Sequence, residues 1–169
     1  MKMIATMCVM SMAAAVCSAQ TQEQTAQYQL ALTIKFQHDV CVAWADCNAN
    51  SFAADMAFVD AMNARPGCTN LVWRAEGDAL VANGNQFYTV SDTLRSQAAV
   101  LLYAGDAFFA TAQTQWAAGD FNIAITSALL ARGKYADALT KFDAASGGFA
   151  TAKLLYQLAR DKYKTPVFA

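Results

Sequence analysis

Every seventh residue from Gly84 to Gly147 is small: Gly84, Ser91, Ala98, Gly105, Ala112, Gly119, Thr126, Gly133, Thr140 and Gly147. The residue after each is usually polar, as at Asn85, Asp92, Asp106, Gln113, Asp120, Ser127, Lys134 and Lys141. Seven residues make two helical turns, so this register lays a narrow small-residue seam along a helix, where a second helix can approach closely. A heptad of large residues, Leu80, Phe87, Leu94, Leu101 and Phe108, runs alongside and fails at Gln115 and Asn122. The pattern predicts a chain that packs helix on helix.

The same reasoning divides the chain into elements. Tyr28, Leu32, Phe36, Val40 and Trp44 recur every four positions, predicting an amphipathic helix over 25–45. Asn48 to Ser51 reads as a break, with Asn50 or Ser51 capping a second helix that carries Phe52, Met56, Val59 and Met62 and stops at Pro66-Gly67. Residues 69–90 are ambiguous. Leu71-Val72-Trp73, Phe87 to Val90 and the Asn83-Gly84-Asn85 turn signal suggest a short hairpin, whereas the large-residue heptad crossing them suggests helix. Helix is favoured from Ser91 to about Trp116, where Ala117-Ala118-Gly119-Asp120 reads as a C′ glycine followed by an Asp cap. Ala131 to Tyr135 and Ser146 to Phe149 repeat that punctuation, predicting helices at 120–132, 134–146 and 150–163, the last closed by Pro166. The expected fold is all-α: six or seven helices in antiparallel hairpins, a helical bundle formed by one domain over 20–169.

Residues 1–19 read as a cleavable secretory signal. Lys2 is the positive start, Met3 to Val16 the apolar core, and Cys17-Ser18-Ala19 a small-x-small cleavage site. The chain is therefore expected outside the cytoplasm, secreted or periplasmic. Cleavage would leave Cys41, Cys47 and Cys68, and an oxidising compartment favours one disulfide among them. Cys47–Cys68 is the preferred pair, because Cys68 follows a turn and Cys47 was placed near a helix end; three buried thiols are the alternative. Losing Lys2 lowers twelve basic residues to eleven against thirteen acidic ones, a net charge of −2. That balance argues against a nucleic-acid partner, and no run of apolar residues suffices for a stable membrane span.

Gly133, Tyr135, Ala138, Phe142 and Ala145 have the spacing of the second helix of a tetratricopeptide repeat. Counted from Gly119, Thr126 and Leu129 fall at that family's small and large positions; a next unit from Lys153 places Tyr156, Ala159 and Tyr163 in register. Residues 119–163 thus resemble one and a half tetratricopeptide repeats, with Asn122 and Phe149 departing from the family's pattern. The resemblance implies helical hairpins with a groove for a partner peptide, and it implies Asn122, Thr126 and Lys153 as binding residues.

The side-chain inventory offers little chemistry. His38 is the only histidine, and His38, Cys41, Cys47 and Cys68 match no familiar metal spacing. There is no Gly-x-Ser-x-Gly elbow and no phosphate loop. No cofactor and no enzymatic activity are expected. The leading expectation is a protein–protein interaction or assembly module acting on an unidentified protein or peptide. A closed bundle carrying an apolar ligand among Phe36, Trp44, Phe87 and Phe108 is the alternative, and a thiol enzyme using Cys41 or Cys47 with His38 comes third.

Overall fold

Three long helices make up nearly all of the computed structural model, which describes the backbone of residues 2–165 and the side chains of 21–165. They are α1 (Lys2–Ala64), α2 (Leu71–Ala117) and α3 (Phe121–Lys164), with one 3-10 turn at Arg65–Gly67. The all-α class holds, and the ambiguous 69–90 segment is helical from Leu71. Among the described residues the α-helices number three, not six or seven. The leader expected at 1–19 lies outside the residues whose side chains are described.

The breaks that do occur have strong local causes. Pro66 lacks an amide hydrogen and cannot continue α1. Asn70 caps α2: its Oδ1 accepts from the amides of Val72 at 3.0 Å and Trp73 at 3.1 Å. Gly119 ends the α2–α3 turn with φ +83°. There the Asp120 amide donates to the Gln115 carbonyl and the Gly119 amide to that of Trp116, which satisfies two carbonyls at the α2 end.

The breaks that do not occur were predicted from capping residues and glycines alone. At Asn48 to Ser51, the side chains that could cap a helix are used sideways: Asn50 donates to Ser146 Oγ at 2.7 Å, and Ser51 joins a polar chain described below. Meanwhile Val40, Cys47, Ala54 and Ala61 stay buried at seven-residue spacing straight through the expected break. Gly133 and Gly147-Gly148 are likewise helical, so the turn that a tetratricopeptide unit needs at Gly133 is absent. A helical glycine costs about 1 kcal/mol against alanine, which the flanking burial of Tyr135, Phe142 and Phe149 outweighs.

The chain forms two compact units, Met1–His38 with Leu102–Ala136 and Asp39–Leu101 with Asp137–Ala169. In each, α2 runs antiparallel to α1 and α3. In the second unit the α2 seam is Gly77, Gly84, Ser91 and Ala98. The α3 seam alternates Ala138, Ala145, Ala152 and Ala159 with Phe142, Phe149, Tyr156 and Tyr163. In the first unit, Ala26 and Thr33 of α1 are buried, as are Ala112 of α2 and Ala124, Ala128, Ala131 and Tyr135 of α3. Rings from α3 fill the space that glycines of α2 leave: Tyr163 covers Gly77, Tyr156 covers Gly84, and Tyr135 covers Gly105. The small-residue heptad is a true seam only as far as the Gly119 turn. Beyond it the register is reset, and Thr126, Gly133, Thr140 and Gly147 face outward.

Candidate functional site

The richest polar arrangement among the described residues is a hydrogen-bond chain inside the second unit. The Arg95 guanidinium on α2 pairs with Asp92 one turn earlier and donates from Nη1 to Ser51 Oγ on α1 at 3.2 Å. Ser51 Oγ lies 3.4 Å from the Tyr88 hydroxyl, where either oxygen can donate, and the Asp55 carboxyl stands close enough to act on the Tyr88 phenol. The Arg95 cation therefore stands on one side of the Ser51–Tyr88 pair and the Asp55 carboxyl on the other. The Arg95 guanidinium also sits 5.4 Å over the Phe149 ring, and Tyr88 meets the same ring edge-on at 5.0 Å.

Burial raises the Tyr88 phenol above its ordinary value, and hydrogen bonding to Asp55 pushes the same way. Cys47, one turn before Ser51, is fully buried; burial pushes its thiol up, which the Arg95 charge only partly offsets. A thiol held protonated is a poor nucleophile. Ser51 Oγ faces a phenol hydroxyl and a guanidinium, neither of them a base. The chain can fix the register of α1 against α2 and set charge next to a cleft, and no proton-abstracting pair is assembled in it.

That cleft, of about 180 Å³, is lined by Asp55, Phe58, Asn85, Tyr88 and Tyr156. Tyr156 donates to Asn85 Oδ1 at 2.8 Å, and Phe58 meets its ring edge-on at 5.2 Å. Burial lifts the Tyr156 phenol to about 12, with Tyr88 and Asp55 adding to the rise.

The residues expected to form a site fall in both units. Asn122 and Thr126 are exposed one turn apart in the first unit, where Thr126 Oγ1 donates to the Asn122 carbonyl at 3.0 Å. Lys153 belongs to the second unit. Cys41, Cys47 and Cys68 are free thiols, Cys41 exposed and the other two buried. The Cys47–Cys68 bridge is corrected by the continuity of α1. Seventeen residues of unbroken helix between Cys47 and Ala64 span about 25 Å at 1.5 Å per residue, far beyond the reach of a disulfide. Phe36 lies beneath the Arg132 guanidinium, Trp44 stacks on Phe142, and Phe87 is exposed, so the residues of the expected apolar pocket have other surroundings.

Ser51, Tyr88 and Arg95 were missed as a group. Ser51 was read as a cap, although it falls one turn after Cys47 on the buried face if the helix continues. Arg95 is the single Lys or Arg between Arg74 and Arg132, a signal that was available in the sequence. No group of three or more metal-ligating side chains gathers among the described residues, and no helix among them is long and apolar enough to cross a membrane.

The described residues form an all-helical fold with heptad-spaced small-residue seams and a part-buried polar chain. Compared with known protein families, curated proteins and solved structures, the chain matches none.

Proposed function

We propose that this chain is an exported, non-enzymatic assembly module that docks a partner helix on the outer face of α1. The observation that carries the reading is a second apolar stripe on α1, on the side away from its buried Val40, Cys47, Ala54 and Ala61. It consists of Val42, Ala45, Ala49, Phe52, Met56 and Val59, with Phe52 68% exposed, Met56 50% and Val59 48%. Helical spacing aligns these six side chains in one row, and a contiguous apolar patch of this kind marks an interaction surface. Asp46 and Asp60 border the stripe, and no Lys or Arg occurs between Lys35 and Arg65. The partner helix is therefore apolar with basic flanks. Export rests on the leader-like Lys2, the apolar run and the Cys17-Ser18-Ala19 site.

The test is co-purification of the tagged mature chain from its native envelope or secretion fluid, beside Phe52→Glu and Met56→Glu variants. The expected result is a stoichiometric protein companion that both variants lose while their thermal unfolding is unchanged. A companion retained by both variants, or no protein companion at all, overturns the proposal.

A further inference from the structure

Independently of the docking stripe, we propose that the cleft over Tyr156 binds a small quaternary ammonium compound, with Phe58, Tyr88 and Tyr156 as aromatic walls and Asp55 as counter-charge. Three of the five lining residues are aromatic, one is a carboxylate and one is an amide whose oxygen is already engaged by Tyr156. Aromatic faces carry negative charge density and attract cations, most strongly where water is partly excluded. Phe58 meets the Tyr156 ring edge-on at 5.2 Å and Tyr156 is 2% exposed, so Tyr156 forms the floor of the cleft and the partly exposed Phe58 and Tyr88 its sides.

Charge points the same way. No Lys or Arg lines the cleft among the described residues, and Arg95, the nearby cation, is occupied by Asp92, Ser51 and the Phe149 ring. The cleft is thus an aromatic space with one carboxylate and no cationic side chain in its lining.

The donor set decides which cation. A primary ammonium presents three N–H groups that need acceptors, and here only Asp55 and a partly used Asn85 oxygen offer them. A hard metal ion such as calcium needs about six to eight oxygen ligands. A tetraalkylated nitrogen has no N–H to satisfy and is held by ring faces plus one carboxylate. The volume of about 180 Å³ falls below the roughly 300–1,000 Å³ typical of drug-sized pockets. It suits a single trimethylammonium headgroup with a short tail.

The probe is choline, titrated into the full mature chain by calorimetry and by aromatic-region NMR. The control is 3,3-dimethylbutan-1-ol, which has the same shape with carbon in place of the charged nitrogen. Choline is expected to shift the Phe58, Tyr88 and Tyr156 ring resonances and to bind about tenfold or more tighter than the neutral isostere. Asp55→Asn is expected to weaken choline binding by about tenfold without changing the unfolding midpoint, because Asp55 is exposed. Equal binding of choline and the isostere, or no saturable binding of choline, overturns the proposal; that comparison uses the unaltered chain and does not depend on any variant folding.

Discussion

Tyr156 lies across Gly84 so closely that a Cβ added to the glycine would stand 2.5 Å from the ring's Cε1, while its hydroxyl donates to the neighbouring Asn85. The same unit recurs twice. Tyr163 covers Gly77 and donates to Asp78 at 2.7 Å, and Tyr135 covers Gly105 and donates to Asp106 at 2.7 Å. At the α2 heptad positions between them, Ser91 and Ala98 replace glycine, and α3 carries Phe149 and Phe142, rings with no hydroxyl to satisfy. Glycine makes room for the ring, and the polar residue after it accepts the proton that would otherwise be stranded.

This pairing makes Gly84→Ala an overpacking mutation. The substitution should improve helix propensity by about 1 kcal/mol, yet forcing the ring aside costs about 1–3 kcal/mol, so the net effect is expected to be destabilising. Tyr156→Phe should lose about 1 kcal/mol through the hydrogen bond to Asn85. Urea denaturation of both variants checks this, and a Gly84→Ala protein more stable than the parent would show that the ring moves freely.

Two glycines of α3 should behave in the opposite way. A Cβ at Gly133 or Gly147 meets nothing within 4 Å. Gly133→Ala and Gly147→Ala are each expected to stabilise the protein by about 0.5–1 kcal/mol. Gly119 is different again: its φ of +83° is a left-handed conformation, so Gly119→Ala should cost about 1–2 kcal/mol. Melting curves for the three variants should therefore separate two helical glycines from one that makes a turn.

How much of this was legible in the sequence follows from what each signal measures. Pro66 and Gly119 act locally, through a missing amide and a positive φ, and the structure ends helices at both. Asn50, Ser51, Gly133 and Gly147 carry equally good local turn signals, but what decides them is a buried heptad whose partners lie on other helices. In α3 the run Ala124, Ala131, Ala138, Ala145, Ala152, Ala159 is the true seam. It sits two residues before the small-residue series at Thr126, Gly133, Thr140 and Gly147, and one-dimensional spacing does not distinguish the two. Asp78, Asp92 and Asp106 stand fourteen residues apart, a spacing that does not show their roles: Asp78 and Asp106 accept hydrogen bonds from tyrosine hydroxyls, and Asp92 holds Arg95. Those roles depend on which α3 ring arrives opposite each one.

The cysteines provide a direct check on the continuity of α1. Of Cys41, Cys47 and Cys68, only Cys41 is exposed. In the folded protein a small alkylating reagent should label Cys41 quickly and leave Cys47 and Cys68 unlabelled; in denaturant all three should react. Peptide mapping after timed alkylation reads each site separately. Recovery of a Cys47–Cys68 disulfide from the native protein would mean that α1 breaks between them after all.

Acid and base should attack the α1–α2 junction from opposite sides. Asp78 receives the Arg65 Nε at 2.6 Å and Nη2 at 2.7 Å as well as the Tyr163 hydroxyl. The Arg65 hydrogen bond and then that from Tyr163 hold its carboxyl at about 2, below the ordinary 3.8. Because the folded value is depressed, this contribution is fully present above about pH 4. It is lost as pH falls from there through about 2. Tyr163 is shifted the other way, to about 12 from an ordinary 10.0, by burial first and by the Asp78 hydrogen bond second. Its neutral form is favoured in the folded chain, so that contribution is intact below about pH 10 and lost as pH rises through about 12. Asp78 is only partly buried, so solvent screening keeps the acid limb shallow. Asp78→Asn should flatten the fall in unfolding midpoint between pH 4 and 2, and Tyr163→Phe should flatten the fall between pH 10 and 12. An acid limb unchanged by Asp78→Asn would place the titrating carboxylate elsewhere and remove this ion pair as the latch of the junction.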